Sequence, residues 1–436
     1  MIDRAVRASL LRSIAPGESF VVALSGGRDS VVLLDALVAA HDPRLRGAIH
    51  VHHGLSPNAD AWARSCESFC AQRGVALSVH RVQVPRAPQT SLEAEARRVR
   101  YAALVDGARA FGATTVALAH HRDDQAETLL LQLLRGAGPR GLSGMAELRD
   151  DARGVRWWRP LLDASRADVD TYAAEHALAW VDDESNASTH HARNAIRHAV
   201  MPALAAVAGN AGATLARAAG LQAEAAMLAD DLAAIDARDA FDGATLSQPA
   251  LRALPDYRAR NLLRWFLHAA GLPAPSAARL GAMLAQLCVA RGDAMTRFVH
   301  GEAEIGVYRG RVCVHRPAPP AYDVAWDGTR DVELPHGCLR IETGEGDGID
   351  AQRLAGAALR VRSRVGGERM QTAKDRPRRA LKSILQEAGV PPWQRASLPL
   401  VTSGNDVVAV PGIGVDASWH APKGARGIVL RFVPRA

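Results

Sequence analysis

Between residue 19 and about residue 130 the chain alternates short, unbroken apolar runs with longer stretches in which apolar residues recur every three or four positions. The runs "FVVALS", "GAIHVHH", "ALSVHRVQV" and "TTVALAH" have strand length and predict strands buried on both faces. Between them, "DSVVLLDALVAAH", "ADAWARSCESFCAQRG" and "SLEAEARRVRYAALVDGARAFG" have helix length and spacing. Strand and helix in alternation predict an α/β fold, a doubly wound parallel sheet with helices on both faces. Ligands of such sheets sit at the carboxyl ends of the strands, where Ser25 and His120 fall.

From about Met201 to Ala240 the pattern turns alanine-rich and helical, and it leads into a mostly helical middle unit that carries "PDYRARNLLRWFLHAAGLPAP" and ends in two short strands near "AEIGVYRGRVCVH". The proline-rich "RPAPPAYD" marks a boundary. Beyond it the chain mixes strands with one helix, "RRALKSILQEAG", closed by Gly389 and the following Pro391-Pro392, as expected of a small α+β domain. The expected domains are residues 1–210, 211–318 and 319–436. Neither an internal repeat nor a low-complexity tail is visible.

With 436 residues, 48% apolar and 23% charged, the chain can bury a sizeable core. The first residues lack the apolar core of a signal peptide, and no later run approaches the roughly 18 apolar residues of a membrane helix, so a cytoplasmic protein without a membrane partner is expected. Five scattered cysteines without a Cys-x-x-Cys pair read as free thiols. The formal charge of +7 suits a polyanionic partner without proving one.

The chemistry concentrates at Ser25-Gly26-Gly27-Arg28-Asp29-Ser30. Two glycines permit positive φ and close backbone approach, and a helix beginning near Asp29 aims unpaired N–H groups at the turn. On the glycine pair alone, the turn reads equally as a phosphate cradle or as a strand-to-helix turn capped by Asp29 or Ser30. It has neither the lysine and spacing of Gly-x-x-x-x-Gly-Lys-Ser/Thr nor the third glycine of the dinucleotide fingerprint. Further on, Asp124 and Glu127 lie three apart and share a helix face, with Asp123 turned away by about 100°. The segment "SLEAEARRVRYAAL" places Arg97, Arg100 and Tyr101 on or near one face, and "RNAIR" does the same for Arg193 and Arg197.

The loop closely resembles the Ser-Gly-Gly-x-Asp-Ser signature of the PP-loop ATP pyrophosphatase superfamily, which splits ATP to AMP and pyrophosphate. Amidating synthetases, tRNA thiolases and tRNA-lysidine synthases share that loop. Here His-His-x-Asp-Asp-Gln-x-Glu-Thr from His120, Arg-Gly-x-Gly from Arg135, Arg159-Pro160-Leu161-Leu162, Asp183-Glu184-Ser185-Asn186 and Arg193-Asn194-x-Ile196-Arg197 follow in order. Together with "VRSRVGGERM" and "LKSILQEAGVPPWQRASLPLV", they are similar to the tRNA(Ile)-lysidine synthetases over nearly the whole chain.

That resemblance implies a two-step ligation on the isoleucine tRNA with a CAU anticodon. ATP adenylates the C2 oxygen of the anticodon cytidine, and L-lysine then attacks C2 through its side-chain amine and expels AMP. It further implies an ATP-binding catalytic domain, a middle substrate-binding domain and a basic C-terminal tRNA-binding domain. Ser25, Gly26, Gly27, Arg28, Asp29, Ser30 and His120 would hold ATP, with Mg²⁺ at Asp29. Asp124 and Glu127 would receive lysine, Arg97 would contact phosphate or the substrate nucleotide, and Arg193 would serve the catalytic site. Arg197 is expected on tRNA, and dimers are frequent among relatives. The glycine-rich, basic "RGAGPRGLSGM" reads as a loop for close RNA approach or as a plain connection.

Between Leu359 and Arg395, ten Lys or Arg residues face three acids, the densest positive stretch in the chain. Arg369, Lys374, Arg378, Arg379 and Lys382 are the candidate tRNA-backbone contacts. Trp393 is expected either to stack on a base or to pack beside its prolines. The competing readings are a PP-loop tRNA thiolase and a non-catalytic RNA-binding protein.

Overall fold

Alternate residues of the first predicted strand face opposite cores. After a leading helix α1 (Ile2–Ser13), strand β1 (Phe20–Ala23) sends Phe20 and Val22 to one side and Val21 to the other. The computed structural model describes residues 1–85, 91–182, 192–290 and 297–435. Two units are distinguished, residues 1–229 and 230–436.

In the first unit the chain continues through α2 (Arg28–Ala39), β2 (Leu45–His52), α3 (Ala59–Gln72), β3 (Leu77–Arg81), α4 (Leu92–Ala110), β4 (Thr115–Ala117) and α5 (Arg122–Leu134). Then come α6 (Pro139–Leu142), β5 (Leu148–Asp150), β6 (Arg156–Trp158) and α7 (Arg166–Glu175). The sheet order is β3-β2-β1-β4-β6-β5, parallel except for β5, which runs antiparallel to β6 at the edge. The four predicted strands are joined by two that the pattern did not reveal. β5 and β6 are three residues long, too short for a period to register.

The two faces divide the helices. α1, α2, α3 and α7 cover Phe20, Val22, Ala117 and Trp158, while α4 covers Val21, Ile49, Val116 and Trp157. From β1 the chain moves outward through β2 and β3, then returns to place β4 on the other side of β1. This reversal opens a crevice at the carboxyl ends of β1 and β4. Both signature segments begin there.

The first unit continues through α8 (Ala192–Ala195), a π-helical turn (Ile196–Val200) and α9 (Met201–Val207). The alanine-rich pattern forms α10 (Ala211–Ala237). No single helix among the described residues is long and apolar enough to cross a membrane.

In the second unit α11 (Gln248–Ala253), α12 (Asp256–Ala269) and α13 (Ala277–Val289) share a core with an antiparallel sheet, Leu262, Phe266, Leu280 and Ile305 among its members. That sheet has four strands in the order β7-β10-β9-β8, namely β7 (Thr245–Ser247), β8 (Arg297–His300), β9 (Ala303–Tyr308) and β10 (Arg311–His315). The sequence announced only the hairpin of β9 and β10. The C-terminal part is built from a five-stranded and a four-stranded sheet, with the predicted helix at Leu381–Glu387 ending at Gly389, φ +77°. Trp393 is neither a free stacking surface nor a core residue. It lies flat on His315, ring centroids 4.3 Å apart, with Tyr308 edge-on at 6.1 Å, and so joins the helical part of this unit to its C-terminal part.

Candidate active site

The turn after β1 is shaped by one glycine. Gly26 adopts φ +89°, and a Cβ there would lie 2.9 Å from Val181 Cγ2 and 3.1 Å from Cys66 Sγ, so both its conformation and its surroundings exclude a side chain. Its carbonyl accepts the N–H of Val181 at 3.0 Å. Gly27 sits in an extended conformation, φ −72°, as the N-cap of α2, which starts at Arg28. No side chain caps this helix. Ser30 stitches the turn instead: its Oγ donates to the Gly27 carbonyl at 2.8 Å and accepts the Ser25 N–H at 3.2 Å, while the Ser25 hydroxyl lies 3.0 Å away. A helix start capped only by backbone, at a crevice, is an anion site.

Two residues of the turn depart from one another. The Arg28 guanidinium, one-fifth exposed, pairs with Asp170 of α7 and lies 5.7 Å from the Trp180 ring centroid. The side chain expected on ATP is thus paired with an acid from α7, and Arg28 also presents its backbone N–H to the turn. Asp29 is held less closely, its Oδ1 3.7 Å from Arg28 Nε. Its Oδ1 is buried without a hydrogen bond, and its Oδ2 lies 3.7 Å from His121 Nε2.

At the end of β4, His121 is the N-cap of α5 and donates its N–H to Asp124 Oδ2 at 3.0 Å. Glu127 follows on the same face, while Asp123 turns away and accepts the Arg166 N–H at 2.8 Å, as the helical angle predicts. Asp124 and Glu127 are 7% and 3% exposed. Charges this deep require partners, and α8 with its π-helical turn supplies them. Arg193 Nε donates to Glu127 Oε2 at 2.9 Å and its NH2 to Asp124 Oδ1 at 3.2 Å. Arg197 Nε donates to Glu127 Oε1 at 2.6 Å, and its NH2 reaches Asp124 Oδ1 at 3.2 Å and Glu127 Oε2 at 3.0 Å.

Each oxygen of the acid pair thus accepts a hydrogen bond from the protein itself. The Arg197 fork, expected on tRNA, is engaged with these carboxylates. Burial opposes the charge on Asp124, but attraction from His121 and Arg193 and the His121 backbone hydrogen bond hold its carboxyl below the ordinary range. Burial also opposes the charge on Arg197, yet its bond to Glu127 and the acids around it raise its pKa. His120 moves the opposite way. Burial, with Arg159, Arg193 and Arg97 nearby, overrides Asp124 and leaves the ring neutral, its Nδ1 buried without a partner.

Across the crevice Arg97 donates to the Tyr101 hydroxyl at 3.1 Å and lies 4.9 Å from the ring centroid, with Arg100 5.7 Å from the same ring. Arg159, to which the sequence attached no role, emerges beside them after β6. Its signal was its place in the Arg159-Pro160-Leu161-Leu162 element, which carried the resemblance but named no role for the arginine. In "RGAGPRGLSGM" the last residue is pinned: Gln125 donates to the Met145 carbonyl at 2.7 Å and accepts its N–H at 2.6 Å. The Asp183–Asn186 motif lies outside the described residues.

The candidate tRNA contacts of the second unit separate into two groups. Arg369, Lys374 and Lys382 are exposed. Arg378 is tied to Asp406 at 3.0 Å and to the buried Asp416 at 3.1 Å, and Arg379 to Glu387 at 2.9 Å. Arg378, itself exposed, thereby also anchors its hairpin. The pair at Arg379 is solvent-exposed and worth little energetically.

Comparison with known proteins agrees with this layout. The PP-loop domain matches residues 3–204, the TilS substrate binding domain residues 246–313 and the TilS substrate C-terminal domain residues 359–432. The chain is similar to the tRNA(Ile)-lysidine synthase of Nitrosomonas europaea, 41% identical over 98% of this chain and 94% of that one. It is also similar to those of Azoarcus sp. (41% identical, covering 98% and 95%) and Alkalilimnicola ehrlichii (42% identical, covering 97% and 96%). With similarity of this extent running through all three matched domains, the chain belongs to the tRNA(Ile)-lysidine synthase family.

Proposed function

We propose that this chain ligates L-lysine to C2 of the anticodon cytidine of an isoleucine tRNA with a CAU anticodon, using ATP and releasing AMP and pyrophosphate. The observation that carries this reading is the meeting, at one switch point, of a backbone anion cradle after β1 and a buried acid–arginine cluster after β4. The cytidine O2 attacks the α-phosphorus and pyrophosphate leaves. The lysine Nε then bonds to C2, the C2–O bond breaks with AMP, and the amine loses its proton. Backbone N–H groups at the start of α2 face the phosphates and stabilise the charge that grows on the leaving group.

The residues present fit a magnesium ion. A carboxylate beside phosphates is repelled unless a cation lies between them, and Asp29 offers an unsatisfied oxygen at that place. No cluster of three or more His, Cys, Asp or Glu side chains suited to a metal occurs among the described residues. That suits magnesium, which takes one or two carboxylates and completes its shell with phosphate oxygens and water. When bound, it would neutralise charge on the departing pyrophosphate.

Lysine recognition falls to Asp124 and Glu127, buried at the centre of the crevice. Their oxygens are taken by Arg193 and Arg197, so an incoming ammonium must exchange with a guanidinium. Arg197→Ala is accordingly expected to lower the KM for lysine by about fivefold, the equivalent of one hydrogen bond at about 1 kcal/mol, and to leave the KM for tRNA within about twofold. Steady-state kinetics with each substrate varied check this. A raised KM for tRNA with lysine unaffected would restore the tRNA contact.

The exposed Arg369, Lys374 and Lys382 are the backbone contacts of the C-terminal domain in this reading. A thiolase is disfavoured by the cysteines. Cys66 and Cys70 are buried, and burial pushes their thiols up to about 12 and about 11, far from the reactive thiolate that sulfur transfer needs. Measuring ATP-dependent incorporation of labelled lysine into a transcript of the CAU isoleucine tRNA tests the function directly.

A further inference from the structure

Among the described residues, one buried cation of the catalytic unit has no acid paired with it. Arg159 is 4% exposed; a terminal nitrogen donates to the Ala146 carbonyl at 2.7 Å, but Nε is buried without a hydrogen-bond partner. The described groups acting on it most strongly are Tyr101, which also hydrogen-bonds the guanidinium, Arg149 and Arg97, with no carboxylate among them. Arg97 and Arg100 crowd the same tyrosine ring. A guanidinium cannot neutralise itself by losing a proton, and an isolated buried charge costs several kcal/mol. The contrast with Arg193 and Arg197, each in contact with two acids, is direct. An arrangement of this kind is completed by an anion from outside.

Sheet order identifies which anion. The ATP cradle follows β1, the acid pair follows β4 and Arg159 follows β6, and these strands are consecutive neighbours. At roughly 4.8 Å per strand, Arg159 begins about 10 Å from the cradle, with the reaction centre between them. The phosphates of ATP are already served on the β1 side. An anion on the β6 side belongs to the strand that delivers the base.

We propose that Arg159, with Arg97 and Arg100 gathered around Tyr101, forms a phosphate site for the RNA backbone beside the target cytidine, and that this site positions the base against the ATP cradle. The inference rests on the reading of this chain as a lysidine-forming enzyme. Arg159 is a binding and positioning residue in it, and the ligand class is a single-stranded phosphodiester.

The test uses the full chain with Arg159→Gln, Arg159→Lys and Arg97→Gln, the last on an exposed side chain whose loss leaves the Ala146 contact intact. Equilibrium binding of the tRNA transcript without ATP is measured across a range of salt, alongside thermal midpoints and the KM values for ATP and tRNA. Arg159→Gln is expected to weaken tRNA binding about tenfold and to flatten the salt dependence by about 0.7 log units per log unit of salt, the share of one single-strand phosphate. Arg97→Gln should flatten it likewise, and Arg159→Lys should recover most of the slope. The KM for ATP should hold within about twofold. An unchanged salt slope in both Gln variants overturns the proposal, as does a raised KM for ATP with tRNA binding intact, which would assign the anion to ATP. The expected slope differences between wild type and variants, together with no lysine incorporation by the wild type, would contradict the functional reading while supporting the phosphate site.

Discussion

Asp29→Ala is expected to lower pyrophosphate and AMP release by about a thousandfold or more while tRNA affinity stays within about twofold. The size follows from what the carboxylate faces. Its Oδ1 makes no hydrogen bond within the protein and lies beside a helix start made for phosphates, so its function is realised only with ligand bound. Removing a group that organises charge on a leaving phosphate costs factors of this order. The fold should hardly notice. At the first turn of α2 the carboxylate contributes no more than the ordinary dipole interaction, about 0.3–1 kcal/mol. Pyrophosphate release, tRNA binding and a urea titration separate these effects. A loss of tRNA affinity as large as the loss of pyrophosphate release would contradict the assignment.

Glu127→Gln is expected to divide the two half-reactions. The carboxylate is 3% exposed and accepts from both Arg193 and Arg197, so its replacement leaves two half-buried guanidiniums sharing Asp124 alone. Breaking a buried pair of this kind costs about 3 kcal/mol or more, visible as a lowered urea midpoint. Lysine transfer should collapse at temperatures where the variant remains folded. Adenylation, read as pyrophosphate release in a single turnover, should survive within about tenfold, because the cradle after β1 is untouched. Equal loss of both steps in a folded variant would show that the acid pair does not act on lysine.

The features that local chemistry dictates were legible in the sequence. Gly26 had to be a residue free to take positive φ, the first turn of α2 had to present N–H groups, and the three-residue spacing put Asp124 beside Glu127 with Asp123 facing elsewhere. Four of the six strands announced themselves through unbroken apolar runs. What sequence could not convey was pairing across the fold. Arg28 looked available to phosphate until Asp170, on helix α7 packed against α2, paired with it. Arg193 and Arg197 were correctly placed on one face, but nothing local said that this face meets Asp124 and Glu127 rather than RNA. Arg378 likewise lost its freedom to Asp416, a residue buried in the C-terminal part. Arg159 is the converse case, since its isolation is visible only once its neighbours are known.

These pairings sharpen the account of the reaction. The crevice holds an anion cradle beside the Asp29 carboxylate, then a carboxylate pair held by its own arginines, then the buried Arg159, unpaired with an acid among the described residues. Read in order along β1, β4 and β6, they offer places for the ATP phosphates, the lysine amine and the RNA strand.

The measurement that bears most directly on this account is a single incubation of the full chain with ATP, Mg²⁺, labelled L-lysine and a transcript of the CAU isoleucine tRNA, followed by mapping of the label. The account predicts one lysine per tRNA at the anticodon cytidine, with pyrophosphate and AMP released in equal amount and no incorporation when ATP is omitted. Absence of label at that cytidine under these conditions, with tRNA bound and ATP present, would contradict it.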